Sequence, residues 1–338
     1  RSKGVGVLIS SLTQTVEREN PDFIVFVGDR EESIAASIVA NYMDVISVHI
    51  GGGDAVYGNT DDQIRFACTE LSHIHCTTSK KYAENLISLG EEPERVFFTG
   101  NPALTNIKNT PHIDKESISK ELDISLDDFI VFLKHPLSSS KENSFSQMEI
   151  TINSTISFLE KNNLIGIGIY PNTDPGSYDI IKAINKNQSD RLKFFKTLPR
   201  DIFVNLMRHS KALIGNSSMG LLEAPFYKMP VVNVGERQKG RLNAGNVNFV
   251  GYDETQIIEG LNKAVFDEEY RSKVSNIDNL FGDGSELDAE EDIIPEEMKE
   301  AVEKLSRDDF KVDEIINETI LDLDQIATFL KELENFKP

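Results

Sequence analysis

Ala212-Leu213-Ile214-Gly215-Asn216-Ser217-Ser218-Met219-Gly220, followed by Leu221-Leu222-Glu223-Ala224-Pro225, reads as a buried strand that runs out through Gly-Asn into a short helix opened by two hydroxyls. The same unit, an apolar run and then an amphipathic stretch, recurs on both sides of it. Strands are expected at Phe23–Gly28, Val45–Ile50, Ile74–Thr78, Val96–Gly100, Phe129–Lys134, Ile165–Tyr170, Lys193–Thr197, Ala212–Gly215, Val231–Val234 and Asn248–Gly251. Helices are expected between them, at Glu32–Tyr42, Asp61–Leu71, Lys80–Leu89, Phe145–Lys161 and Ser177–Asn187. Strand–helix alternation means α/β architecture, with parallel sheets covered on both faces. In such sheets ligands sit beyond the carboxyl ends of the strands. Asn109-Thr110-Pro111-His112-Ile113-Asp114 breaks the pattern with turn chemistry. This divides the chain into residues 1–109 and 110–280, two doubly wound halves expected to face each other across a cleft.

Residues 281–338 differ in composition: they hold 19 acidic and 6 basic residues, a net charge of −13 out of −21 for the chain. Ile316, Ile320, Leu323, Leu330 and Leu333 recur there at helical steps, so an acidic, mainly helical extension is expected, entered through an acidic loop over Gly282–Glu297. The charge argues against nucleic acid and anionic membranes as partners. No apolar run approaches the length of a bilayer span, and no secretory leader is read from Arg1 onward. Cys68 and Cys76 carry no redox motif, which fits a cytoplasmic location.

The candidate chemistry follows strands. Ser217 and Ser218 at a helix N-terminus suit an anion, although such a pair also serves as an ordinary N-cap. Glu223, about one and a half turns into the expected helix, could accept hydrogen bonds from a ribose diol. The loop Gly235-Glu236-Arg237-Gln238-Lys239-Gly240-Arg241 places three cations after a strand, which in this acidic chain suggests a diphosphate. His135-Pro136 ends one strand and His49 another. Asp29 and Arg30 leave the first strand directly, Asp54 follows Gly51-Gly52-Gly53, and Asp61-Asp62 open a helix where either could be a plain cap. Proton abstraction from carbon needs a positioned base, and expulsion of a diphosphate needs cationic help. The sequence has no metal-ligand spacing and no Gly-x-Gly-x-x-Gly after a strand.

These stretches together resemble the UDP-N-acetylglucosamine 2-epimerase family, in its hydrolysing branch of sialic and related nonulosonic acid synthesis. The resemblance is carried by Gly28-Asp29-Arg30, His49-Ile50, Gly52-Gly53, Gly58 to Arg65, Leu71-Ser72-His73-Ile74-His75 and Pro93-Glu94-Arg95-Val96-Phe97. In the second half it rests on His135-Pro136, Tyr170-Pro171-Asn172, Leu198-Pro199-Arg200, Gly215-Asn216-Ser217-Ser218 and Arg237 to Arg241. It implies two Rossmann-like domains in a glycosyltransferase-B-like arrangement, the first lacking its opening βα units before Arg1. By position it implies nucleotide contacts at His135, Asn172, Ser217, Ser218, Glu223 and Arg237, and Arg30 on the sugar or phosphate side. Asp29 and Asp61 match catalytic carboxylates, with His135 and Asp54 as further catalytic candidates. The implied substrate is a UDP-N-acyl sugar, turned through a glycal into the free 2-epimer and UDP, with no cofactor or metal and a homodimer or homotetramer as the assembly. Gly51 departs from the pattern, because the sialic-acid enzymes have Glu there. The rival readings are a non-hydrolysing 2-epimerase, a glycosyltransferase of the same fold, and a non-catalytic sugar-nucleotide-binding protein.

Overall fold

The computed structural model describes residues 2–54 and 60–284. The described residues form two compact units, one from residues 2–54, 60–108 and 281–284, the other from 109–280.

The first unit starts with helix α1 (Ser2–Glu19), followed by β1 (Phe23–Val27), α2 (Glu31–Tyr42), β2 (Ile46–Ile50), α3 (Thr60–Glu70), β3 (Ile74–Thr77), α4 (Lys80–Leu89), β4 (Val96–Phe98) and α5 (Pro102–Asn109). The strands pair in parallel in the order β1-β2-β3-β4. The alternation within β2 shows how local sequence sets the faces. Ile46, Val48 and Ile50 join Ile74, Cys76 and Phe97 in one apolar layer. Ser47 and His49 turn to the opposite face, where the His49 ring stacks on Phe26, 5.2 Å between centroids. Ser79 caps α4 by accepting from the Tyr82 amide at 3.2 Å. The chain returns to this unit at Phe281, whose carbonyl accepts from the Asn101 amide and whose ring lies against Tyr82. The acidic extension expected beyond it lies outside the described residues from position 285 onward.

The second unit opens with α6 (Lys115–Leu122), capped by the Asp114 carboxylate on the Ser117 amide at 2.9 Å. It continues through β5 (Phe129–Leu133), α7 (Ser144–Lys161), β6 (Ile165–Ile169), α8 (Ser177–Lys186), β7 (Leu192–Phe195), α9 (Arg200–His209), β8 (Leu213–Gly215), α10 (Met219–Leu222), β9 (Val231–Val234), β10 (Val247–Val250), α11 (Glu254–Phe266) and α12 (Glu268–Ser275). Six parallel strands lie in the order β10-β9-β8-β5-β6-β7, a doubly wound Rossmann-type sheet. β5 is buried throughout and feeds both faces. Ile130 and Phe132 pack with α7, α8 and α11; Phe129, Val131 and Leu133 pack with α6 and α9. The chain winds outward from β5 in both directions, so the order reverses between β5 and β8, and the loops leaving those two strands are where a ligand crevice forms.

The expected short helix follows Ser217-Ser218, but the expected place of Glu223 in it is corrected. α10 has four residues, and Glu223 stands at its C-cap instead of one and a half turns inside. Pro225 has no amide to donate and closes the turn. So short a helix has little macrodipole, and an anion there would depend on individual donors.

Candidate active site: carboxylates in one unit, anion donors in the other

In the second unit the loops after β5 and β8 are stitched together by one side chain. The Asn216 carboxamide accepts from the His135 amide at 2.7 Å and donates to the His135 carbonyl at 2.9 Å. This continues the ladder past the point where the two strands part. The Asn216 carbonyl accepts from Arg237 Nη1 at 3.1 Å and from Gln238 Nε2 at 2.9 Å. The loop after β9 is thereby drawn onto the loop that carries Ser217 and Ser218. Of the three cations expected there, Arg237 makes this contact. Lys239 pairs with Glu236 at 2.7 Å at the surface, and Arg241 donates to Gln238 at 2.7 Å.

His135 is held by the amide of Asn172, which donates to Nδ1 at 3.1 Å. The ring proton therefore sits on Nε2. Burial and the nearby Arg237 guanidinium lower the imidazole to about 4, so it is neutral near pH 7 and remains a hydrogen-bond donor. The Asn172 carboxamide donates to Asp174 at 2.6 Å. Ser217 Oγ accepts from the Met219 amide at 3.4 Å, whereas the Ser218 side chain makes no capping bond although it stands at the N-cap. Partly buried Glu223 is pushed up to about 7 by burial, partly offset by Arg200. Neutral donors and cations thus outnumber carboxylates around the switch point, an environment suited to an oxyanion.

In the first unit the carboxyl ends of β1 and β2 meet the side of α3. Arg65 donates through Nη2 to the Asp29 carboxylate and through Nη1 to the Gly51 carbonyl at 2.6 Å. This planar fork ties the two strand ends together. His49 donates from Nε2 to the Gly28 carbonyl at 2.9 Å and meets the Thr69 hydroxyl at Nδ1, 3.2 Å away. Burial lowers it to about 4, so it serves as a neutral strut between strands. Asp54 is buried and Arg30 exposed. Asp61 falls in the first turn of α3, and its side chain lies outside the described residues. Gly51 has φ +85°, the left-handed region, so a Glu at this position would be strained on this backbone.

Arg65, Asn216 and Lys134 were not singled out as site residues from the sequence. Arg65 carried a signal, since it closes the segment Gly58 to Arg65, and Asn216 carried one in the Gly-Asn strand exit. Lys134 carried none, because it reads as the polar end of a strand. Among the described residues no three His, Cys, Asp or Glu side chains gather as a metal site, and no helix is long and apolar enough to cross a membrane.

A sequence model of the UDP-N-acetylglucosamine 2-epimerase family matches residues 1–295. The chain belongs to this family. Among its relatives it is 33% identical to the GDP/UDP-N,N'-diacetylbacillosamine 2-epimerase (hydrolyzing) of Campylobacter jejuni over 249 residues, 72% of this chain and 64% of that protein. The chain thus spans less than two thirds of the length of that relative. It is 30% identical to the UDP-N,N'-diacetylbacillosamine 2-epimerase (hydrolyzing) of Legionella pneumophila over 286 residues, 84% of this chain and 73% of that one. The fold also matches the UDP-GlcNAc 2-epimerase of Neisseria meningitidis solved with UDP-GlcNAc, with a TM-score of 0.72 at 22% identity over 89% of this chain and 80% of the other. Membership of the family accounts for two Rossmann-like parallel sheets in one chain.

Proposed function

We propose that the protein is a hydrolysing 2-epimerase acting on a UDP-linked N-acylated amino sugar. The second unit takes the nucleoside diphosphate, through Ser217, Ser218, Arg237 and neutral His135, with Asn172 and Glu223 on the nucleoside side. The first unit supplies the proton chemistry through Asp29 and Asp61, with Asp54 as a further candidate and Arg30 on the sugar or phosphate side. The observation that carries the reading is the pinning of the Arg237 loop onto Asn216, which gathers a guanidinium, two hydroxyls and a neutral imidazole donor around the sheet's switch point.

The chemistry follows from the bonds. A carboxylate removes the proton from C2 of the sugar, the electron pair forms the C1–C2 double bond, and the C1–O bond breaks with its electrons leaving on UDP. Guanidinium and hydroxyl donors stabilise the charge that develops on the departing phosphate. Water then adds across the glycal, with its oxygen to C1 and a proton to C2 from the opposite face. The names of the Campylobacter and Legionella relatives support the hydrolysing outcome and a sugar with a second N-acetyl group. Gly51, where no side chain occupies the exit of β2, supports a substrate bulkier than N-acetylglucosamine.

Incubation in D₂O with UDP-N-acetylglucosamine and with UDP-N,N'-diacetylbacillosamine tests this. The expected product is a free 2-epimer carrying deuterium at C2, with an equal amount of UDP and no acceptor required. A product still bearing UDP would indicate a non-hydrolysing epimerase. Retention of the original hydrogen at C2 would overturn the elimination.

A further inference from the structure

Lys134 follows β5 and keeps the even register of Ile130 and Phe132. It is 2% exposed, and lysines so deep are almost always paired. Among the described residues no carboxylate pairs with it. Its polar contact is the Tyr252 hydroxyl, 3.4 Å from Nζ and at the outer limit for a hydrogen bond. The Tyr252 ring lies against the amine with its centroid 4.9 Å away. The same hydroxyl presses on Gly235, where a Cβ would sit 2.2 Å from it, so Lys134 and Tyr252 together stand under the start of the Arg237 loop.

The charged neighbours do not neutralise it. Arg237 repels it, His135 next in the chain is neutral, and Asp174 faces His135 and Asn172. Glu236 bears on Tyr252 but pairs with Lys239 at the surface. Burial, with Arg237 in support, lowers the amine to about 7.

We propose that Lys134 is a proton-coupled residue of the nucleotide site, an amine walled off from water and from carboxylates that becomes an ammonium when a diphosphate arrives beside Arg237. The inference rests on the nucleotide reading above. Before binding, a neutral amine spares the site a buried positive charge next to the Arg237 guanidinium. The diphosphate supplies the missing negative charge, the amine takes a proton from solvent, and the Tyr252 ring accommodates the resulting cation. Lys134 thus positions the Arg237 loop and adds charge to the site only when that charge is needed.

Calorimetric titration of the full chain with UDP at pH 8, in buffers of different ionisation enthalpy, reads the proton directly. UDP is then fully ionised, and Glu223 is mostly so. Uptake close to one proton per UDP is expected, because an amine near 7 is about nine-tenths neutral at pH 8. Affinity for UDP should fall by close to tenfold between pH 8 and pH 9. In Lys134→Met the uptake and the pH slope should vanish while UDP still binds, more weakly. Lys134→Arg, permanently charged, should also show no uptake, and it serves if the Met variant does not fold. Binding by the wild type without proton uptake, or uptake that persists in the variants, would overturn the role of Lys134 and leave the nucleotide reading standing. Failure of the wild type to bind UDP would overturn the nucleotide reading itself and this inference with it.

Discussion

Asp29 is joined to Arg65, and Arg65 also holds the Gly51 carbonyl, so one guanidinium orients a carboxylate at the exit of β1 and braces the exit of β2. A carboxylate held in this way is a positioned group of the kind proton transfer requires. If Asp29 acts as acid or base, Asp29→Asn should lower turnover by about a hundredfold or more. UDP affinity should stay near that of the wild type, since the proposed phosphate donors, Ser217, Ser218 and Arg237, belong to the other unit. Asn keeps the shape and an oxygen for Arg65, so a thermal melt separates lost chemistry from lost structure. Near-normal turnover would leave Asp29 as a partner for Arg65 and nothing more. Ser218→Ala should show the opposite pattern, weakening UDP binding by about 0.5–3 kcal/mol, the range for a hydrogen bond to a neutral or charged partner. The Ser218 residue type was legible as a possible N-cap, but its unused hydroxyl at that position could not be read from the sequence.

At the scale of elements, the ten strands and five of the twelve helices among the described residues follow from local periodicity, and their expected bounds lie within two residues of those observed. β9 is a run of four apolar or buried residues over Val231–Val234, as expected. The misreading at α10 has a local cause. Gly215 and Asn216 mark the strand exit clearly, yet nothing nearby except Pro225 says how soon the helix stops. α1 went unread because its apolar positions, Ile9, Leu12 and Val16, make sense only against Val39 and Val45, which they pack upon. The pairing of β5 with β8 also depends on one residue that has no side chain. Gly215 has φ +148°, and a Cβ there would lie 1.9 Å from the Leu133 carbonyl oxygen. Gly215→Ala should therefore push β8 from β5 and cost roughly 3 kcal/mol or more. The variant should melt several degrees below the wild type and lose UDP affinity, because Asn216 moves with the strand end. A melting temperature equal to that of the wild type would show that the strand pair yields without cost.

For the whole molecule, three histidines, His49 and His75 buried and His135 partly so, link stability to acid. Burial lowers His49 and His135 to about 4 and His75 to about 3. Below pH 6.5 the unfolded chain takes up protons at these sites and the folded chain does not. Stability is therefore full above pH 6.5 and declines as pH falls toward 4. By pH 5 each histidine should cost about 2 kcal/mol. Two of the three lie in the first unit, which should weaken more than the second. Urea unfolding at pH 7 and pH 5 measures the difference, and His49→Asn should narrow it by about 2 kcal/mol. An equal midpoint at both pH values would mean that these rings accept protons in the folded state. The sequence by itself determined the parallel α/β architecture and which loops follow strands, since periods of two and of about 3.6 and turn residues are properties of neighbouring positions. Only the tertiary structure decided the order β10-β9-β8-β5-β6-β7, which sets Asn216 against His135 across 81 positions, and the reach of Arg65 to Asp29 across 36. Strand order depends on crossover connections that close long loops, and buried amines such as Lys134 depend on what those crossovers bring overhead. No local pattern of residues encodes either one.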